Sequence, residues 1–236
     1  MEKDKRWPGI NGGFFIMIGL TVVGILFYFA VTTVRSFDRS VSVKGLCEME
    51  VTADRVIWPL VYNVVGNDVT LLYGDIKRTN KIIVEFLKSN GIEEDEITVS
   101  APKLVDTRTE YGENKPYNYK VTAVLTVYTD KVDIVKKLLS EQSDLLNKGV
   151  ALTGDNWEFK TQFIYTGLNN IKPQMIEKAT MNARITAEKF AKDSNSKLGK
   201  IKKASQGQFS VTNRDENTPY IKNVRVVTSI DYFLKD

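Results

Sequence analysis

The first feature of the chain is an apolar stretch without a charged residue, Gly12 to Val34, reading GGFFIMIGLTVVGILFYFAVTTV. At about 1.5 Å of rise per helical residue it is long enough to cross a hydrocarbon layer of about 30 Å. The pattern predicts a transmembrane signal anchor over 12–34. A cleaved signal would have a shorter apolar region followed by small residues, and the nearest candidate, Ala30-Val31-Thr32, fits that pattern poorly. Release after cleavage is therefore the alternative, and a buried soluble helix comes third, because soluble helices apolar on every side are rare at this length. Lys3, Lys5 and Arg6 precede the run in a compact group, whereas Arg35, Arg39 and Lys44 follow more loosely with Asp38 between them. That asymmetry places residues 1–11 in the cytoplasm and the carboxyl-terminal part outside. Trp7 and Tyr28 lie towards the two ends, where amphipathic rings often sit.

Beyond the anchor the periodicity changes repeatedly. Ser40 to Val51 alternates as a strand, and Val56 to Val65 is a second run rich in β-branched and aromatic residues. Pro59 within it cannot donate to a ladder, which points to an edge or a bulge. Residues 69–89 repeat apolar side chains at Leu72, Ile76, Ile83, Phe86 and Leu87, one buried helical face, and Gly91 follows as a stop. Strands are predicted near 96–105 and 117–129, joined by a polar loop from Thr107 to Pro116. In the second strand Tyr117, Tyr119, Val121, Ala123, Leu125 and Val127 alternate with a more polar set.

A helix over 131–146 carries Val135, Leu138, Leu139, Leu145 and Leu146 on one side. A strand at 157–166, a helix at about 171–195 and strands near 199–209 and 223–234 complete the order ββαββαβαββ. Two β-α-β-β units, 56–129 and 157–234, form a pseudo-repeat. The expected fold is thus α+β, antiparallel sheets packed with three helices and preceded by one transmembrane helix. In the last helix Ala179, Ala183, Ala187 and Ala191 recur every four residues with Ile176 and Phe190 nearby, a small-residue stripe read as core packing rather than an oligomer seam.

Composition then narrows the chemistry. The apolar and charged fractions, 42% and 26%, are ordinary for a folded protein. The formal net charge is +4, and no basic face emerges, which argues against a nucleic-acid footprint. With no histidine and one cysteine, the usual zinc sites and any serine or cysteine nucleophile paired with histidine are excluded. The acidic run Glu93, Glu94, Asp95 and Glu96 lacks the spacing and central glycine of a calcium loop and reads as a solvated turn. Lys197, Lys200, Lys202 and Lys203 could meet anionic head groups, but alternation puts Lys200 and Lys202 together on an ordinary solvent-facing strand. Gly66, Gly74 and Gly149 match no phosphate-cradling motif. Cys47 reads as a small buried hydrophobe before it reads as a redox thiol. Tyr111, Tyr117 and Tyr119 could form a binding surface or simply pack on the sheet.

Several local sequences together resemble the SIMPL family, catalogued as a domain of unknown function. Val43-Lys44-Gly45 continuing to Ala53-Asp54 resembles its Val-Ser-Gly start and Pro-Asp step. Leu87-Lys88-Ser89-Asn90-Gly91-Ile92 with Glu96-Ile97-Thr98 resembles its helix, Gly-Ile turn and next strand. Tyr119 through Val127 to Asp130 resembles its Tyr-led strand, and Ala179 to Ala191 followed by Leu198-Gly199-Lys200-Ile201 resembles its alanine-rich helix and Leu-Gly-x-Ile sequence. Cys47 stands where a second glycine is common, Ala53 replaces a proline, and the anchor is longer than the family's secretory signals.

The resemblance implies an envelope protein, periplasmic or outer-membrane-associated in Gram-negative bacteria, with no cofactor and no agreed catalytic residues; together with the anchor it gives the expectation of a SIMPL-like envelope domain over 39–236, periplasm-facing at the inner membrane. It also implies relatives that form ring-like or channel-like oligomers and some linked to oxidative stress. The expected function is a non-enzymatic module that oligomerises or binds partners, its small-molecule ligand open, with no catalytic, cofactor or metal residue assigned. The alternatives are a hydrolase or metal-dependent enzyme built on carboxylates such as Asp54, Asp75, Glu85 or Asp106, and a redox sensor centred on Cys47.

Overall fold

The structure, a computed structural model, describes residues 11–36, 39–109, 115–154 and 157–235. Lys3, Lys5, Arg6, Trp7, Asp38 and Tyr111 lie outside the described residues. The apolar run forms one uninterrupted helix, α1 (Asn11–Ser36), through the Ala30-Val31-Thr32 position. Every residue from Gly13 to Val31 is exposed, so no protein core covers it.

The elements that follow are β1 (Ser40–Thr52), β2 (Arg55–Gly66), α2 (Val69–Ser89), β3 (Ile97–Val99), β4 (Lys103–Asp106), β5 (Tyr119–Thr129), α3 (Val132–Ser140) and α4 (Ser143–Asn147). Then come β6 (Gln162–Ile164), α5 (Leu168–Asp193), β7 (Lys197–Gln206), β8 (Ser210–Asn213) and β9 (Ile221–Lys235). This is the expected α+β class with antiparallel pairing. The described residues divide into two compact units. One takes the residues up to Cys47, Gln174–Phe209 and those from Val226 on; the other takes Glu48–Pro173 and Ser210–Arg225.

In the second of these units the sheet order is β3-β5-β2-β6, with β4 also pairing β5. Alternation puts Trp58, Leu60 and Tyr62 of β2 on one face, opposite Val127, Leu125 and Ala123 of β5. All six are buried, together with Leu72, Ile76, Ile83, Phe86 and Leu87 of α2, the helical face read from the sequence. Asp68 caps α2 by accepting from the backbone N–H groups of Thr70 and Leu71. Gly91 follows with φ +91°, a left-handed value that costs glycine little.

Four expectations need correction here. The strand expected over 96–105 splits into β3 and β4, because Pro102 between them has no N–H to offer β5. The helix expected over 131–146 breaks after Ser140 into α3 and α4, and the change of phase leaves Leu146 62% exposed while Leu138 and Leu145 are buried. The strand expected over 157–166 shrinks to three residues. Pro59 lies in an interior strand, but β6 pairs only with residues 55–57 of β2 and the next bridge is Tyr62 to Leu152. The proline thus falls in a local gap in that ladder.

In the other unit β1, β9 and β7 lie in that order, and α5 packs on them. Its Ala179, Ala183, Ala187 and Ala191 are buried, with Met175 continuing the stripe. Val43, Ala183, Ala187, Ile230 and Tyr232 share one apolar cluster, so the alanines serve core packing. Phe190 is 56% exposed and stands outside it. The pseudo-repeat is present, but its second copy draws its first strand from elsewhere: β1-β9-β7 under α5 repeats β2-β5-β3 under α2, while β6 flanks β2.

Candidate functional site

The four carboxylates proposed for catalysis are each engaged locally. Asp54 accepts from the Thr166 N–H and hydroxyl and the Gly167 N–H, at 2.8, 3.0 and 3.0 Å, and so fastens the turn before α5. Asp75 pairs with Arg78, and Glu85 lies 3.9 Å from Lys81, both at exposed helical spacing. Asp106 receives Nε and Nη2 of Arg108, which also lies over the Tyr119 ring. The hydrogen bonds from Arg108 hold the Asp106 carboxyl below its ordinary range.

The acidic run is the expected turn, with Glu93, Glu94 and Asp95 exposed and Glu96 half-buried. Glu93–Glu96 forms a 3-10 turn with a reciprocal capping box, and Lys131 Nζ donates to Gly91 O, Glu93 Oε1 and Glu96 Oε2 at about 3.0 Å. Burial raises the Glu96 pKa, but the Glu93 N–H, the Thr129 hydroxyl and Lys131 together outweigh it, so the group stays below its ordinary value. Among the described residues no group of three or more histidine, cysteine or acidic side chains could hold a metal.

Lys197, Lys200, Lys202 and Lys203 are all exposed on β7, but two register shifts flank Ile201 and interrupt simple alternation. Cys47 is buried on the inward face of β1 with Val43. Tyr117 and Tyr119 are half-buried; β5 begins at Tyr119, so the strand expected from Tyr117 starts two residues later, and Arg108 Nη2 donates to the Tyr119 hydroxyl.

A concave site absent from these expectations lies within the second unit, a cleft of about 560 Å³. Leu139 and Gln142 border it where α3 gives way to α4, and Lys160, Thr161, Gln162 and Phe163 come from β6 and its approach. Asn213 at the end of β8, Glu216 and Pro219 in the following loop, and Lys222 at the start of β9 close it. Lys222 has the same strand parity as the fully buried Val224 and Val226 and is itself only 7% exposed. Its Nζ donates to Asn213 Oδ1, directly opposite in the β8–β9 ladder. Among the described residues it has no carboxylate partner, and burial lowers its pKa. The sequence signal was available: Lys222 continues the inward phase of 224, 226, 228, 230 and 232, one residue before the strand predicted from 223.

The loop that carries Glu216 and Pro219 is anchored at both ends. Tyr220 O accepts from the Ala53 N–H at 2.8 Å, and the Tyr220 ring meets Phe163 edge-on. Asp215 accepts from the Thr218 hydroxyl, Arg214 Nε and the N–H groups of Asn217 and Thr218. The Thr218 hydroxyl, followed by Arg214, lowers the Asp215 pKa from 3.8 to about 2. Because the folded value is depressed, this loop is stabilised above pH 3.8 and loses that stabilisation as pH falls through about 2. A carboxyl-carbon NMR titration of Asp215 is expected to find a midpoint near the lower value, with amide exchange at Asn217 and Thr218 rising in step. A midpoint close to that of a free aspartate would contradict the assignment.

The model of the SIMPL family, described as a protein of unknown function (DUF541), matches residues 41–228. No curated protein matches the chain. The match runs from β1 into β9 and takes in Gly45, the alanine helix and the cleft around Lys222, so the chain belongs to the SIMPL family.

Proposed function

We propose that the protein is a membrane-tethered envelope module whose SIMPL region binds a partner or assembles with itself rather than catalysing a reaction. The observation that carries this reading is α1: Gly13–Val31 is long and apolar enough to cross a bilayer, and none of it is buried. An apolar helix of this length with no protein cover is accommodated by lipid. The basic residues before it favour a cytoplasmic amino terminus and a periplasmic SIMPL region. A binding role fits carboxylates committed to local pairs and a cleft whose ionisable groups are lysines and one glutamate.

Alkaline carbonate extraction of cell membranes tests the tether. The full chain is expected to stay in the membrane pellet, and Val22→Arg with Leu26→Arg to move most of it to the supernatant, since each central arginine costs about 3 kcal/mol on insertion scales. Release of the unaltered chain by carbonate would defeat the tether. Sedimentation of the full chain in detergent tests assembly, and a monomer at every concentration would remove that part of the reading.

A further inference from the structure

We propose that the cleft around Lys222 binds a small organic monocarboxylate, with the carboxylate on Lys222 Nζ and the apolar body against Leu139, Phe163 and Pro219. This gives the binding part of the proposed function a ligand class. It is tested by ligand titration, so its failure is distinct from failure of the membrane tether.

The starting point is the cost of Lys222. A buried ammonium is expensive unless a counter-charge meets it. Lys131 shows the satisfied case in the same unit, with Glu93 and Glu96 on one ammonium. Among the described residues Lys222 meets the neutral Asn213 amide and no carboxylate. A lysine that merely lends its stem to the core carries its ammonium out to water, whereas Lys222 stays 7% exposed and lines the cleft. The missing counter-charge therefore fits a ligand that enters the cleft.

Charge and shape then select the class. Lys222 is the buried cation of the lining and balances one negative charge, while the exposed Lys160 and Glu216 offset each other, which disfavours a dianion such as phosphate. The Gln142 and Gln162 amides add neutral donors to the cleft lining, while Leu139, Phe163 and Pro219 add side chains with no polar atoms. The volume, about 560 Å³, is within the range of small-molecule sites. Burial already lowers the Lys222 pKa, and an incoming carboxylate relieves that penalty.

The test uses the full chain in detergent micelles with benzoate, hexanoate and acetate as probes, followed by saturation-transfer NMR and thermal melting. Saturable binding of benzoate or hexanoate is expected, at least roughly ten-fold tighter than neutral benzamide. Lys222→Met, which keeps the length and apolar stem, is expected to lose that preference while melting no lower than the parent, because it removes an uncompensated buried charge. Equal binding of benzamide, displacement by inorganic phosphate at matched concentration, or no saturable binding of any of the three acids would each overturn the proposal. Unchanged benzoate affinity in folded Lys222→Met would overturn it too. Should that variant fail to fold, the comparison of benzoate with benzamide on the unaltered chain still decides the charge requirement.

Discussion

Replacing Gly45 with alanine is expected to cost about 3 kcal/mol or more of stability, at or beyond the upper end of ordinary overpacking. Gly45 lies on the buried face of β1, against the backbone of α5. A Cβ built there would sit 1.8 Å from Ala179 O and 2.6 Å from Ala183 N. Those are backbone atoms, so no side-chain rotation relieves the overlap, and α5 would have to move off the sheet. Movement would also open the contacts of Ala183 and Ala187 with Val43, Ile230 and Tyr232. Urea unfolding of the full chain in detergent, followed by far-ultraviolet circular dichroism, should show a much lower midpoint. A midpoint equal to that of the parent chain would mean that β1 and α5 do not approach so closely. The same contact accounts physically for the Val-x-Gly sequence at the start of the SIMPL match: the glycine makes room for a helix of alanines.

Trp58→Ala is expected to cost about 3–5 kcal/mol by opening a cavity. Trp58 is 1% exposed in the middle of β2, directly opposite Val127 of β5, and belongs to the cluster formed with α2 and α3. Leu60, Leu125 and Leu138 of the same cluster are themselves fully buried, so they can close only part of the space. Denaturant unfolding again gives the measurement. A loss below about 1 kcal/mol would place Trp58 outside the packed core, since surface changes seldom cost more. Leu146→Ala serves as the contrast, because that side chain is 62% exposed and its loss should change stability little.

Local periodicity made several elements legible. The uncharged run predicted α1, the 72-76-83-86-87 spacing predicted the buried face of α2, and the alternation from Tyr117 to Val127 predicted the inward side of β5, which begins at Tyr119. The alanine interval of four marked the buried side of α5. Each depends on a repeat that a short stretch of chain carries by itself, 3.6 residues for a helix and two for a strand.

Period alone specifies a face and leaves its partner open. β1 and β6 both read as strands, yet β1 takes the place beside β9 and β6 the place beside β2, a choice made by packing between residues distant in sequence. The break between α3 and α4 depends likewise on what the surrounding elements cover, and it places Leu139 and Gln142 at the cleft. Residue type alone does not single out Lys222, because a lysine in sequence is ordinarily a surface residue. Its parity with Val224 and Val226 was written in the chain. That it ends buried beside an amide, with no carboxylate among the described residues to meet it, was decided only when β6, the α3–α4 break and the β8–β9 loop converged around it, since the cost of a charge depends on its surroundings and not on its residue type.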